Sequence, residues 1–302
     1  MIRGRVHAPG DFDSFLFADY SGAAAPAAQR RAIALWSADS GAPARKIRGP
    51  FTRDELRHAL LAKLVDATRR GRRVLFGVDH QWSWPRDLWR AAGLEGLPWR
   101  RALAALVQGD GQRPPLGPPA IFPAAFNAYA RAAIFHCRVR GLARRYAVPT
   151  KSHWAGDPVR LTERAMTGAK PATRLGGTGA VAGQTLEGLR QLHFLLEEAS
   201  AARIPILAWP LDALADDGVS HVGVEVYPTF YRPASQPKSD DADARACCEW
   251  AAAADLAREL NLTTAPAPVR RAARTEGWIL GARPPAPVSG VRLCADRRGS
   301  PE

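Results

Sequence analysis

The chain has 302 residues, 46% of them hydrophobic and 24% charged, which is enough to build a sizeable apolar core. Its apolar residues come in short runs broken by Gly and Pro, none approaching the roughly 18 of a membrane-spanning helix, and the opening MIRGRVHAPGDFD carries no apolar secretory region. These features exclude a membrane-embedded class and set a cytoplasmic protein as the expectation, and the formal charge of +13 favours polyanionic partners.

Phe15–Ala18 reads as a first strand ending in Asp19, with a turn at Ser21-Gly22. Ala32–Ser37 reads as a second strand and Ala44–Ile47 as a short third, separated by the Ser40-Gly41 turn signal, so the three form an antiparallel meander. Thr52 caps a helix whose Leu56, Leu60, Leu64 and Ala67 share one face, with Asp54 and Glu55 in its first turn and Arg69-Arg70 in its last. Val74–Val78 is almost wholly apolar, as a central strand covered on both faces should be, and it ends at Asp79.

Residues from about 80 to 200 read as a mostly helical insertion: a Trp- and Pro-rich entry at Trp82–Trp89, a helix over Ala124–Tyr146, a Gly-rich loop at Arg174–Gly183 and a helix over Leu186–Ala201. Two further strands, Ile204–Trp209 and Val222–Val226, precede a last long helix opened by Ser239, whose alanines and Cys247-Cys248 make a small-residue face for packing on a sheet. Trp278–Leu280 is a short final strand, and 283–302 a Pro-rich tail. The order β-β-β-α-β, helical insertion, β, closing helix is that of an α/β ribonuclease H-like fold: one domain over 1–282, with a mixed sheet, flanking helices and the insertion between the fourth and fifth core strands.

This topology gives the acidic residues a common address. Asp19 and Asp79 each follow an apolar strand, and ligands of α/β folds gather at the carboxyl ends of strands. Glu225 lies inside Val222–Val226, where a charge is costly unless paired or metal-bound. Asp240 and Asp243 share a face of the last helix's first turn. Several carboxylates at one point require a cation, and hard oxygen donors select Mg²⁺ or Mn²⁺. Metal ligation is therefore expected of Asp19, Asp79 and Asp243, with Glu225 or Asp240 completing the shell. Each has a plainer reading: Asp19 as a turn former, Asp79 as an arginine's partner, Asp240 and Asp241 as helix N-terminal charges.

Other candidates are weaker. The four cysteines, Cys137, Cys247, Cys248 and Cys294, form no CxxC pair and read as small buried hydrophobes. His80 stands next to Asp79 as a minor candidate. Leu175–Gly179 lacks the spacing of a phosphate-binding loop. Trp82, Trp84, Trp89 and Trp99 read as core rather than as stacking platforms for bases.

The segments FADYSG, FGVDHQWSWP, RLTERAM, GAVAGQTLEGLRQL, VGVEVYPTFYR, DDADA and EGWILGA, taken in order, resemble the family catalogued as domain of unknown function 429, regarded as predicted nucleases of ribonuclease H-like fold. The resemblance runs from about Phe15 to Ala282. It implies an acidic site at Asp19, Asp79 and Asp243, a Glu-x-x-Pro segment at Glu225, and an Arg-x-x-Glu element at Arg160 and Glu163 near the cleft, Arg160 suiting a phosphate or a carboxylate. Gln184 and Thr185 are expected to contact substrate. The chain departs from the family where Asp79 is followed by His80-Gln81-Trp82 before Pro85.

Three functions remain open on sequence: a Mg²⁺- or Mn²⁺-dependent nuclease or related phosphodiester hydrolase, a ribonuclease H-like protein for a small phosphorylated or nucleotide ligand, and a non-catalytic nucleic-acid-binding protein. A nuclease keeps affinity but loses turnover in Asp19→Asn. A small-ligand protein shows a closed pocket between insertion and sheet. A pure binder shows salt-dependent affinity without a metal response. The oligomeric state is not encoded in any motif.

Overall fold

The computed structural model describes residues 10–20, 22–166, 168, 170–177, 180–214 and 220–283. The chain runs β1 (Ser14–Asp19), α1 (Pro26–Ala32), β2 (Ala34–Asp39), β3 (Arg45–Lys46), α2 (Arg53–Arg69) and β4 (Val74–Val78). Six helices then intervene: α3 (Arg86–Ala91), α4 (Trp99–Gln108), α5 (Phe122–Tyr129), α6 (Arg140–Arg145), α7 (Leu161–Arg164) and α8 (Ala182–Ala201). The chain continues with β5 (Ile206–Trp209), β6 (His221–Glu225), α9 (Pro228–Tyr231), α10 (Asp240–Ala253), α11 (Leu256–Glu259) and α12 (Ala267–Glu276).

The strands make one mixed sheet of six in the order β3-β2-β1-β4-β6-β5. β2 runs antiparallel to β1 and β3, whereas β1, β4, β6 and β5 are mutually parallel. Strand periodicity builds a core on each face. Leu16 and Ala18 of β1 join Val74, Phe76 and Val78 of β4 against α2, α8 and the insertion. Phe15, Phe17 and Leu75 point the other way and meet Val222, Val224 and the small residues Cys247, Cys248 and Ala251 of α10. The first core continues without interruption into the insertion, where Trp84 packs on Trp89, Phe122, Phe126 and Phe135 with ring centroids 5.2–6.3 Å apart. Burial of each such side chain contributes about 1.5–3 kcal/mol.

α2 begins where its sequence dictates. Thr52 and Glu55 close a reciprocal capping box, and Leu56, Leu60, Leu64 and Ala67 are its buried face. Four expected elements differ. The second strand starts later, because Pro26 opens a short helix that consumes Ala32. The helix expected over Ala124–Tyr146 is two helices. Its break is held by Asn127, whose side chain accepts from the amides of Ile134 and Phe135 and donates to the Phe135 carbonyl, freeing both residues to enter the core. The last long helix stops at Ala253, and Asp255 caps a separate turn. Trp278–Leu280 adds only a single bridge, Ile279 to Glu225. The Pro-rich tail, Cys294 and the Ser21 turn position lie outside the described residues. No helix among the described residues is long and apolar enough to cross a membrane.

Candidate acidic site

Because β1, β4 and β6 are adjacent and parallel, their carboxyl ends share one edge. The register pairs Ala18 with Val78 and Val78 with Glu225, so Asp19 and Asp79 follow side by side at the strand ends and Glu225 stands one position short of Asp79. α10 packs across β1 and β2, and its first turn reaches the same edge. Ser239 caps that turn by accepting from the Ala242 amide. The three acids behind the cap then divide. Asp241 turns outward to Lys46 at 2.7 Å and to the Trp36 indole N–H at 3.0 Å, whereas Asp240 and Asp243 face the strand ends.

The charge balance at this edge is unfavourable. Asp19 is buried, and its carboxyl is pushed up to about 9, first by burial and then by Asp79, Asp240 and Asp243. Asp79, which keeps some exposure, is pushed up to about 8 by its crowded surroundings and then by Glu225, against an opposing effect of Gln184. Asp240 is raised by burial and Asp243, with Lys238 opposing. Arg232 is the cation at close range, its Nε 2.5 Å from Asp243 Oδ1 but poorly aligned for a hydrogen bond. Among the described residues, Asp19 and Asp79 have no ion pair.

Glu225 plays a different part from the one its strand position suggested. Its carboxylate receives both terminal nitrogens of Arg160, at 2.7 and 2.5 Å, and the Trp82 amide at 3.0 Å. It is a positioning residue, because its oxygens are already occupied. Arg160, fully buried, also donates through Nε to Glu163 and through Nη1 to the Glu276 carbonyl. Of the two partners its sequence context allowed, carboxylate is the one it has, with four of its five N–H donors committed to protein oxygens. Glu163 accepts from Gln81, and Gln81 accepts from the Thr185 hydroxyl at 2.8 Å. Gln184 donates to the Asp79 backbone carbonyl. Glu163, Gln184 and Thr185 therefore fasten the insertion to the strand ends, and all three also line the cleft beside Asp79.

His80 is likewise internal. Its ring lies edge-on to Tyr20 at 4.9 Å, and burial pushes its pKa down to about 4, so it is neutral. A Cβ on Gly188 of α8 would stand 2.4 Å from that ring, so only glycine permits the approach. Ser83, buried, donates to the Thr275 carbonyl and is no nucleophile. The four tryptophans singled out in the sequence are all core. One residue the sequence did not single out is Lys170. It lines a cleft of about 480 Å³ together with Asp79, Gln184, Tyr227 and the Arg160–Glu225 pair, and no side-chain partner holds it among the described residues. An isolated lysine in a loop carries no motif that would have marked it.

The donors suit a divalent cation in kind, being carboxylates, Asp19 and Asp243 of them buried, and short of compensating charge. As placed they are not gathered into a ligand shell: among the described residues no three His, Cys, Asp or Glu side chains form a ready metal-binding group. Comparison with protein-family models, curated proteins and solved structures returns no match.

Proposed function

We propose that this chain is a ribonuclease H-like, Mg²⁺- or Mn²⁺-dependent phosphodiester hydrolase acting on nucleic acid. The strand order β3-β2-β1-β4-β6, with β2 alone antiparallel to its neighbours and a helical insertion after β4, supports the fold; β5 is an extra edge strand. The observation that carries the function is the set of poorly compensated carboxylates at one sheet edge, Asp19 and Asp79 held near 9 and 8 by burial and by the charge of neighbouring carboxylates. Asp19, Asp79 and Asp243 would hold the ion, with Asp240 completing the set. Such an ion supplies Lewis-acid activation of water and of the leaving oxygen in phosphodiester cleavage.

The chain's own residues do the rest. Arg232 orients Asp243, Gln184 holds the backbone at Asp79, and the buried Arg160–Glu225–Glu163 group fixes the cleft wall. Lys170 offers the cleft a free ammonium for a phosphate oxygen. A second reading, a small phosphorylated ligand, is favoured by the convergence of Lys170, Gln184 and Tyr227 on the same cleft beside Asp79.

The test is cleavage of single-stranded, double-stranded and branched DNA and RNA with Mn²⁺ or Mg²⁺, a chelator control, and Asp19→Asn and Asp79→Asn. Metal-dependent cutting abolished in both variants is expected. Metal-independent cutting, or cutting that survives both substitutions, would overturn the proposal. Absence of both cutting and binding would move the assignment to the small ligand.

A further inference from the structure

Between Asp110 and Asp157 the sequence contains no Asp or Glu, yet it contains seven Arg and Lys residues. Arg138, Arg140, Arg144 and Arg145 stand within eight positions of one another, on and beside α6, and all four are exposed. Several other surface arginines are held by carboxylates: Arg30 by Glu55, Arg86 and Arg90 by Glu95, Arg245 by Glu249. Among the described residues the side chains of the four have no hydrogen bond or ion pair. A dense group of unpaired guanidinium groups in a stretch without acids is a field for phosphates.

The placement of α6 ties it to the cleft. A Cβ on Gly176 would meet Cys137 Sγ and Leu142 Cδ1, both at 2.8 Å, so α6 is seated directly on the Gly176 turn. The backbone is stitched there by His136 and Leu175, whose carbonyl and amide bond at 2.8 Å. The same segment continues into Val181, Gln184 and Thr185, which form the cleft wall next to Asp79. Val139, 43% exposed between two of the arginines, offers an apolar contact to a base.

We propose that the basic surface of α6 takes the phosphate backbone of single-stranded nucleic acid and leads it past Gly176 and Gly177 to the acidic cleft, an inference that rests on the hydrolase reading. The single strand is the class that fits: four exposed arginines within eight positions, with the apolar Val139 exposed between two of them, suit an extended backbone whose bases are free to make apolar contacts.

The experiment is fluorescence anisotropy with a labelled mixed-sequence single strand and its duplex, in chelator so that nothing is cut. Wild type is compared with R140A/R144A/R145A and with R69A/R70A/R203A, a triple with the same charge change on residues preceding β4 and β5, at the opposite edge of the sheet. The α6 triple is expected to bind the single strand about tenfold or more weakly, with the slope of log K against log salt reduced by about 2, three contacts at about 0.7 each. The control triple keeps wild-type affinity within about twofold, since non-contacting charges act only through the screened field. Equal weakening in both triples, undiminished binding by the α6 triple, or tighter binding of duplex would overturn the inference while leaving the hydrolase reading standing. A wild type that binds neither form would overturn both.

Discussion

Replacing Asp19 with Asn should stabilise the metal-free protein, and the gain should grow with pH. In the folded chain the Asp19 carboxyl is raised to about 9 from an ordinary 3.8. Between those values the folded state keeps a proton that the unfolded state has released, so stability falls as pH rises from about 4 to about 9 and levels off beyond. At pH 7 the cost is about 1.4 kcal/mol for each pH unit above the unfolded value, or roughly 4 kcal/mol over three units. Asn is isosteric, needs no proton and can still accept the Tyr20 amide. Relaxation of neighbours around an ionised Asp19 reduces the gain to about 2–4 kcal/mol, an upward shift in Tm of about 3–6 °C for a chain this long. Thermal unfolding of both proteins in chelator at pH 5, 7 and 8.5 measures it. A gap widening with pH is expected. An Asp19→Asn variant that melts with wild type at every pH, or below it at pH 8.5, would refute the unfavourable charge at this edge.

Arg160→Met should destabilise by about 3–5 kcal/mol, because it leaves Glu225 and Glu163 buried and unpaired, and Arg160→Lys should not rescue it, since one ammonium cannot bridge both carboxylates; urea unfolding decides both. Gly188→Ala should cost about 1–3 kcal/mol by driving a methyl into the His80 ring, read by the same transition. Asp241→Asn should leave metal-dependent activity intact and cost under about 1 kcal/mol, its partner Lys46 being exposed, whereas Asp243→Asn should abolish activity; parallel assays of the two test the division of acids within one helical turn.

Much of this was legible in the sequence. Thr52 and Glu55, the leucine stripe of α2 and the apolar run Val74–Val78 are local signals, and local physics formed what they foretold. Asp19 and Asp79 were visible as charges closing apolar runs. What failed depended on distant contacts. The break after Tyr129 depends on Asn127 recapturing the backbone at Phe135, which helical periodicity cannot register. Glu225 looked like a ligand because a charge within a strand needs a partner; that the partner is Arg160, 65 residues away, emerges only on folding. Lys170 gains its place from the cleft and not from its neighbours in sequence.

The central claim, that the carboxylates at the sheet edge exist to hold a cation, is tested most directly by Mn²⁺ titration followed by electron paramagnetic resonance, on wild type, Asp19→Asn, Asp243→Asn and Asp241→Asn. Saturable binding is expected of wild type and Asp241→Asn, lost in the other two and accompanied by proton release as Asp19 and Asp79 ionise. Absence of binding at millimolar Mn²⁺, or equal binding by all four proteins, would contradict it.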